Sequence, residues 1–548
     1  MHAGPGFRMI SATMRAPSGA DRSRARLASP EHTMNVGIAV TRIAQRAPHS
    51  LALFDGTRSM DYATLDERSN RLANALRGNY GFAQGDRAAL LVHNRMEVVE
   101  VLAGVAKAGL VYVGLNFRMT VTELEAVLDN AQPRILITEA EYEAMATALA
   151  ARRGIPLLVL DAPASYESQL AAASPAFPPS AHAVFPKDHF AIVYTSGTTG
   201  LPKGILFDHA AALQHGTVAC LEYEITDQSR YLIQIPHNSC VNITIAPCLM
   251  AGAAVGFAES RGFDSFALCD TVQRHGVTHT FLVPTMLATL LEQDPGDFPK
   301  RLASITTLGY GSSPIPAERL RTLVAAYGPI FIQLYGMAEI ASIGTLLRKQ
   351  DHVHALTDKP HLLSSCGRPS FATTVRVVDP QRAEVARGET GEVIFGGPHT
   401  MLGYFREPER TARALIDGWL FSGDVGRVDE EGYHYIVDRI KDLIIRGGYN
   451  LAPSEVEKVL YTHPAVLDAA VVGIPDDKRG EAVLAVVSLK PGMQATPQEL
   501  LQLCRKSQLS SIKQPERVEI IAAIPKNSIG KIDKKAVRER YWSGARRV

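Results

Sequence analysis

The run Thr195-Ser196-Gly197-Thr198-Thr199-Gly200-Leu201-Pro202-Lys203-Gly204 constrains this chain more than any other feature. Glycines let a backbone approach an anion closely and adopt positive φ. Threonine and serine hydroxyls donate to phosphate oxygens or ligate a hard cation, and Lys203 adds a fixed positive charge. Phe190–Tyr194 reads as a buried strand before the run and Ile205–Phe207 as another after it, so the loop sits between strands. The spacing is not that of G-x-x-x-x-G-K-[ST], and no helix begins directly after Lys203, which disfavours a kinase or GTPase. A polar hairpin that happens to contain glycine is the bland alternative. Ten such residues in order argue against it and for an ATP-using enzyme.

Further motifs follow between the loop and the C-terminus. They are Tyr335-Gly336-Met337-Ala338-Glu339, Gly388-Glu389-Thr390-Gly391-Glu392, Ser422-Gly423-Asp424, Asp438-Arg439-Ile440-Lys441-Asp442, Gly447-Gly448-Tyr449-Asn450 and Pro525-Lys526-Asn527-Ser528-Ile529-Gly530-Lys531. With the loop, they resemble the AMP-forming adenylating enzymes, which include acyl-CoA synthetases, nonribosomal peptide synthetase adenylation domains and beetle luciferases. The resemblance runs from Met34 to the C-terminus and is strongest toward acyl- or aryl-CoA ligases.

A chain of 548 residues exceeds one ordinary core, so two or more domains are expected. Its 57 basic and 56 acidic side chains give no broad electrostatic reason to bind nucleic acid or an anionic membrane. The six cysteines form no C-x-x-C pair or zinc grouping, which fits a reducing cytoplasmic setting. The longest apolar stretch, 241–258, contains Asn242, Thr244, Pro247 and Gly252 and reads as buried core, not as a membrane span. Residues 1–33 carry five arginines and two acids without hydrophobic periodicity, and are expected to be disordered, with Met34 as the natural start.

Strand-like runs at 87–92 and 135–138 alternate with helical periodicity at 62–77 and 122–128, an α/β pattern, while the Pro/Ala/Ser-rich stretch 162–185 reads as a surface connection. Beyond Arg439 a compact α+β unit follows: a helix opened by Pro453, strands at 466–474 and 482–489, and the capping box Thr496-Pro497-Gln498-Glu499. The expected fold class is therefore α/β, and the resemblance implies a large N-terminal multi-sheet α/β domain over 34–440. The resemblance implies that the small C-terminal α+β domain, 441–548, is mobile and turns about Lys441.

The resemblance also implies roles. The phosphate loop, Thr195, Ser196, Gly197, Thr198, Thr199, Gly200 and Lys203, would hold ATP; Thr198 and Glu339 would hold magnesium. Tyr335 and Gly336 would face adenine from one side, with Ser312, Ser313 and Pro314 on the other. Asp424 would accept the ribose hydroxyls, a task suited to an acceptor-only carboxylate, and Arg439 would add a ribose or phosphate contact. Lys531 would reach the α-phosphate during adenylation; a lysine in a basic tail is otherwise usually a solvated charge. Ala338 stands where most relatives have threonine.

His237 and Asn238 fall where relatives place a gating residue beside the acid pocket, with Gly311 also lining it; the pair leans toward an aromatic acid, and a fatty acid stays open. Gly447 and Gly448 would face the tunnel for a pantetheine thiol. Coenzyme A is the expected acceptor, with a carrier protein as the alternative. The reaction implied is ATP-dependent acid–thiol ligation through an acyl-adenylate. A rival of another class is a catalytically silent nucleotide-binding protein, hinted at by Ala338 alone.

Overall fold

The computed structural model describes residues 35–162, 164–195, 202–258, 260, 262–526 and 532–542. Among them are four sheets with helices packed between and around them. Residues 1–33, most of the phosphate loop (Ser196, Gly197, Thr198, Thr199, Gly200) and Lys531 lie outside the described residues.

A seven-stranded sheet runs in the spatial order Gly403–Tyr404, Lys203–Asp208, His189–Thr195, Val111–Gly114, Arg87–Leu91, Ile135–Thr138, Leu157–Val159. Its inner strands are parallel and buried on both faces, so they read as continuous apolar runs. His189–Thr195 and Lys203–Asp208 pair antiparallel with Thr195 opposite Lys203, which places the two ends of the glycine-rich run side by side. The two-residue edge strand Gly403–Tyr404 then pairs with Leu206 and Ile205.

A nine-stranded sheet contains the parallel strands Ala254–Phe257, Arg230–Ile233, His279–Leu282, Thr307–Gly311 and Phe331–Tyr335. Gln234 to Asn238, Ser312 to Pro314 and Gly336 follow the C-terminal ends of these strands, where open α/β sheets place their ligands. The stretch 241–258 is buried as expected: a π-helical turn Val241–Ile245, the helix Ala246–Ala251 and the strand Ala254–Phe257. A third, antiparallel sheet carries Trp419–Val428 beside His434–Arg439, with Asp424 opposite Arg439.

The C-terminal sheet, built from Ile444–Arg446, Tyr449–Leu451, Val466–Asp476, Gly480–Leu489 and Arg517–Ile520, has its own apolar core of Ile444, Val456, Leu460, Val471, Ala485 and Leu500. The capping box forms: Thr496 Oγ1 accepts from Glu499 N at 3.2 Å and Glu499 Oε2 accepts from Thr496 N at 2.7 Å. The architecture is thus α/β, with a large multi-sheet part and a smaller C-terminal domain. No helix among the described residues is long and apolar enough to cross a membrane.

Two local expectations are corrected. The stretch 162–185 is no bare connection, because it contains the helix Tyr166–Ala172, whose Tyr166 is fully buried and donates to Glu100. The helix expected over 62–77 stays α-helical only over Tyr62–Asn74 and widens into a π turn over Ala75–Asn79.

Candidate active site

Lys203 opens its strand opposite Thr195, and its ammonium donates to Glu339 Oε1. Glu339 is 2 % exposed and lies in the short 3₁₀ turn Ala338–Ile340. The same Oε1 accepts from the hydroxyl of Tyr404 at 2.7 Å, and Lys203 Nζ lies 3.2 Å from that hydroxyl and 5.0 Å from the ring centroid. Lysine, carboxylate and phenol form one closed group. Burial makes it costly to break, because a buried carboxylate needs paired charge and hydrogen bonds. Tyr404 was not legible as a site residue; the short Gly403–Tyr404 strand beside the lysine strand brings it there.

The second group joins two sheets. Tyr335 ends its strand and its hydroxyl donates to Asp424 Oδ2 at 2.9 Å, while Arg439 Nε lies 3.3 Å from Asp424 Oδ1. Burial and the neighbouring Asp424 charge push the Tyr335 phenol well above its usual value, so it remains a donor. Ser422 Oγ accepts from Asp424 N at 3.0 Å and Glu392 Oε1 accepts from Gly423 N at 2.9 Å, which fixes the turn holding the aspartate. Desolvation raises the Glu392 carboxyl above the ordinary range. Tyr335, Met337 and Ala338 pack against the apolar cluster of Ile205, Ile340, Phe395 and Tyr404, so the two groups are neighbours on one small core. The methyl of Ala338 packs there.

His237 and Asn238 occupy a separate wall. His237 is completely buried; its N–H donates to Asn94 Oδ1 at 2.8 Å, and Asn94 Nδ2 donates to the Ile235 carbonyl at 2.8 Å, clamping the turn. Its Nδ1 lies 3.2 Å from the Tyr112 hydroxyl. Among the described residues His237 Nε2, Asn238 Oδ1 and Gln234 Nε2 are buried without a hydrogen-bond partner. Burial pushes the His237 imidazole down to about 4, so the ring is neutral near pH 7.

Ser312, Ser313 and Pro314 follow Gly311 at the end of Thr307–Gly311, and Ser312 takes a left-handed φ of 74°. Gly447 and Gly448 form the turn between Ile444–Arg446 and Tyr449–Leu451 on the C-terminal domain, with φ of 57° and 83° and open space where a Cβ would stand. Lys441 lies in the 3₁₀ turn Ile440–Asp442 directly after Arg439, and its carbonyl accepts from Arg538 Nη1 at 3.4 Å. The structure thus brings Lys203 to Glu339, and Tyr335 and Arg439 to Asp424.

For magnesium, Glu339 supplies a hard oxygen donor, and among the described residues its hydrogen bonds fall on Oε1, which leaves Oε2 to face a cation. The donor chemistry fits. Thr198, the other expected ligand, lies outside the described residues.

The AMP-binding enzyme family matches over residues 40–405, and the AMP-binding enzyme C-terminal domain over 455–531. A feruloyl-CoA synthase from an Amycolatopsis species is 38% identical over 502 residues, covering 91% of this chain and 98% of its own length. The medium/long-chain-fatty-acid–CoA ligase FadD8 of Mycobacterium tuberculosis is 33% identical over 540 residues, covering 95% of this chain and 92% of its own. The amide bond synthetase McbA from Marinactinospora thermotolerans superposes with a TM-score of 0.84 at 32% identity, covering 92% of this chain and 99% of its own.

Proposed function

The chain belongs to the AMP-binding enzyme family and is an ATP-dependent, AMP-forming acid–CoA ligase, and we propose that the acid it activates is aromatic. The observation that carries the substrate class is the buried wall of His237, Asn238 and Gln234, whose polar atoms, without partners among the described residues, suit a ring bearing polar groups better than an alkyl chain. The feruloyl-CoA synthase relative supports the same class.

A carboxylate does not acylate a thiol at neutral pH, because its oxygen is too poor a leaving group. In the first half-reaction a carboxylate oxygen attacks the ATP α-phosphorus, the bond from that phosphorus to pyrophosphate breaks, and acyl-AMP forms. Lys203 then holds phosphate oxygens while Tyr404 keeps Glu339 in place. Asp424, oriented by Tyr335 and Arg439, accepts the ribose hydroxyls, and the backbone around Ser312 to Pro314 flanks adenine. Lys531 supplies positive charge to the transferring phosphoryl group, an interaction whose loss commonly costs about 100- to 1,000-fold. Glu339 and Thr198 would hold magnesium, which would supply neutralising charge to the phosphates. Neutral His237 closes the carboxylate end of the pocket without adding charge.

In the second half-reaction the C-terminal domain turns about Lys441 and presents Gly447 and Gly448 to the pantetheine arm. The thiol sulfur attacks the acyl carbon, its proton passes to solvent, and AMP leaves with the pair of electrons of the acyl–oxygen bond.

AMP and pyrophosphate release from ATP and magnesium, measured with aromatic, medium-chain and long-chain acids with and without coenzyme A, tests this reading. AMP release that requires both coenzyme A and an aromatic acid supports it. A preference for decanoate or palmitate over every aromatic acid overturns the substrate class, and acid-dependent pyrophosphate exchange without turnover on coenzyme A moves the acceptor to a carrier protein.

A further inference from the structure

A second set of unpartnered polar atoms lies deeper in the same part of the large domain. His215, on the helix His209–Glu222, is fully buried, and among the described residues neither of its ring nitrogens has a hydrogen-bond partner. Its ring centroid is 5.9 Å from that of His399, also fully buried, whose Nδ1 has no partner either. Buried polar atoms are nearly always satisfied, so two neighbouring imidazoles, tilted 55° to one another and with three nitrogens open among the described residues, call for an explanation.

Their surroundings are the site's own segments. The helix bearing His215 packs on the π turn Val241–Ile245, which begins three residues after Asn238, and the Ile243 backbone carbonyl approaches the His215 ring without reaching hydrogen-bond geometry. π turns recur at functional sites. His399 Nε2 lies 3.3 Å from the Ile343 carbonyl, four residues beyond Glu339, and Met401, two residues after His399, donates its N–H to the Glu339 carbonyl at 2.8 Å. The pair is thus enclosed by the segment that follows Asn238 and the segment that follows Glu339.

We propose that His215 and His399 form a polar end wall of the acid pocket and read a neutral hydrogen-bonding substituent, a phenolic hydroxyl, on the ring of the acid. The inference rests on the ligase reading above. The chemistry selects the group. Burial pushes the His215 imidazole down to about 3 and lowers that of His399, so both rings are neutral and offer no charge to a second carboxylate or an ammonium. A neutral imidazole has one donor and one acceptor. His399 Nε2 lies 3.3 Å from both the Ile343 carbonyl, which only accepts, and Thr373 Oγ1, whose own hydrogen goes to that carbonyl at 2.9 Å, so Nε2 carries the hydrogen and Nδ1 is a lone pair awaiting a donor. A hydroxyl donates to that lone pair and accepts from the N–H of His215; an unsubstituted ring leaves both unpaired.

The test compares kcat/KM for acyl-AMP formation, by pyrophosphate exchange, with 4-hydroxycinnamate and with cinnamate. Wild type favours the hydroxylated acid by about tenfold or more, the cost of leaving buried partners unsatisfied. His215→Leu brings the ratio close to one, chiefly by losing the hydroxylated acid, while His215→Gln, which keeps a donor and an acceptor, retains much of it. His399→Leu reads the same ratio independently should the first variant fail to fold, and thermal melts monitor both. A ratio unchanged in the leucine variants, or an equal fall for both acids at unchanged melting temperature, overturns the inference while leaving the ligase intact. Wild type that releases no AMP with any acid overturns the ligase reading instead, and the inference with it.

Discussion

Removing a single oxygen, Tyr404→Phe, isolates the group that positions Glu339. The ring stays, so its packing in the cluster with Ile205 and Phe395 and its face toward Lys203 are kept. What disappears is a hydroxyl that donates to Glu339 Oε1 at 2.7 Å and lies 3.2 Å from Lys203 Nζ. A hydrogen bond to a charged group contributes about 1.5 to 3 kcal/mol. If the bond orients a carboxylate that must be in place when phosphate charge is redistributed, that energy appears in the barrier as a loss of about 10- to 150-fold in adenylation kcat/KM. Pyrophosphate exchange at saturating acid, with ATP and magnesium varied separately, reads it. The half-saturating magnesium concentration rises because, among the described residues, Glu339 is then held by Lys203 alone, while isothermal titration with acyl-AMP analogue lacking metal stays near the wild-type affinity. A change below twofold, or a loss that tracks a fall in melting temperature and leaves the magnesium dependence alone, refutes the role given to Tyr404.

Three other outcomes are expected. Lys531→Ala abolishes adenylation, by about 100-fold or more, yet largely spares thioester formation from preformed acyl-AMP; single-turnover assays of each half separate them, and equal losses count against the assignment. Lys441→Pro shows the reverse asymmetry, since a fixed φ hinders the turn of the C-terminal domain; a comparable loss in adenylation removes Lys441 as the hinge. Lys107 is fully buried, donates to Asp66 Oδ1 at 2.6 Å, Ser69 Oγ at 2.8 Å and Asn70 Oδ1 at 2.8 Å, and is pushed down to about 8 by desolvation. Between about pH 8 and 10.4 the unfolded lysine holds a proton that the folded one has lost, so wild type gains stability with rising pH relative to Lys107→Met, by at most about 1.4 kcal/mol per unit. Urea unfolding at pH 7.5, 8.5 and 9.5 reads this difference, and parallel pH profiles for the two proteins would contradict it.

The sequence made plain what depends on neighbours in the chain. The antiparallel pair His189–Thr195 and Lys203–Asp208, the strand Ile135–Thr138 and the capping box at Thr496 all have local causes: apolar runs, a glycine-rich sequence between them, a Thr and Glu three apart. The separate roles expected for Lys203 and Glu339 rested on resemblance, and nothing in the sequence signalled that the two side chains meet, as they do in the structure. Tyr404 and His215 stayed hidden for one physical reason. Each owes its importance to a partner on another segment, and a lone tyrosine after glycine or a lone histidine in a helix carries no local signature of such a partner. The nearest usable signal for Tyr404 was its aromatic pair with Phe405 beside Gly403, an edge-strand pattern too short to stand out from a turn. The helix Tyr166–Ala172 was missed because proline and alanine around it resemble a linker, whereas burial of Tyr166 against Glu100 decides the outcome.

The placement of Glu339 follows from how its loop is closed. Gly344 N donates to the Tyr335 carbonyl at 3.0 Å, so the chain leaves its strand at Tyr335 and returns to it within nine residues. That return needs two close approaches: a Cβ on Gly336 would lie 2.8 Å from the Ser342 carbonyl oxygen, and one on Gly344 2.4 Å from the ring of Phe395. It also needs left-handed backbone at Ala341 and Ser342, with φ of 48° and 69°, each costing about 1 to 2 kcal/mol. Such strain persists only where surrounding contacts over-determine it. Here they come from three sheets: Tyr335 from the nine-stranded one, Lys203 and Tyr404 from the seven-stranded one, Phe395 and Asp424 from the third, antiparallel one. The carboxylate and the Tyr335–Asp424 bond are therefore fixed by one shared set of contacts, so a substitution that loosens Phe395 against Gly344 disturbs the phosphate end and the ribose end of the site together.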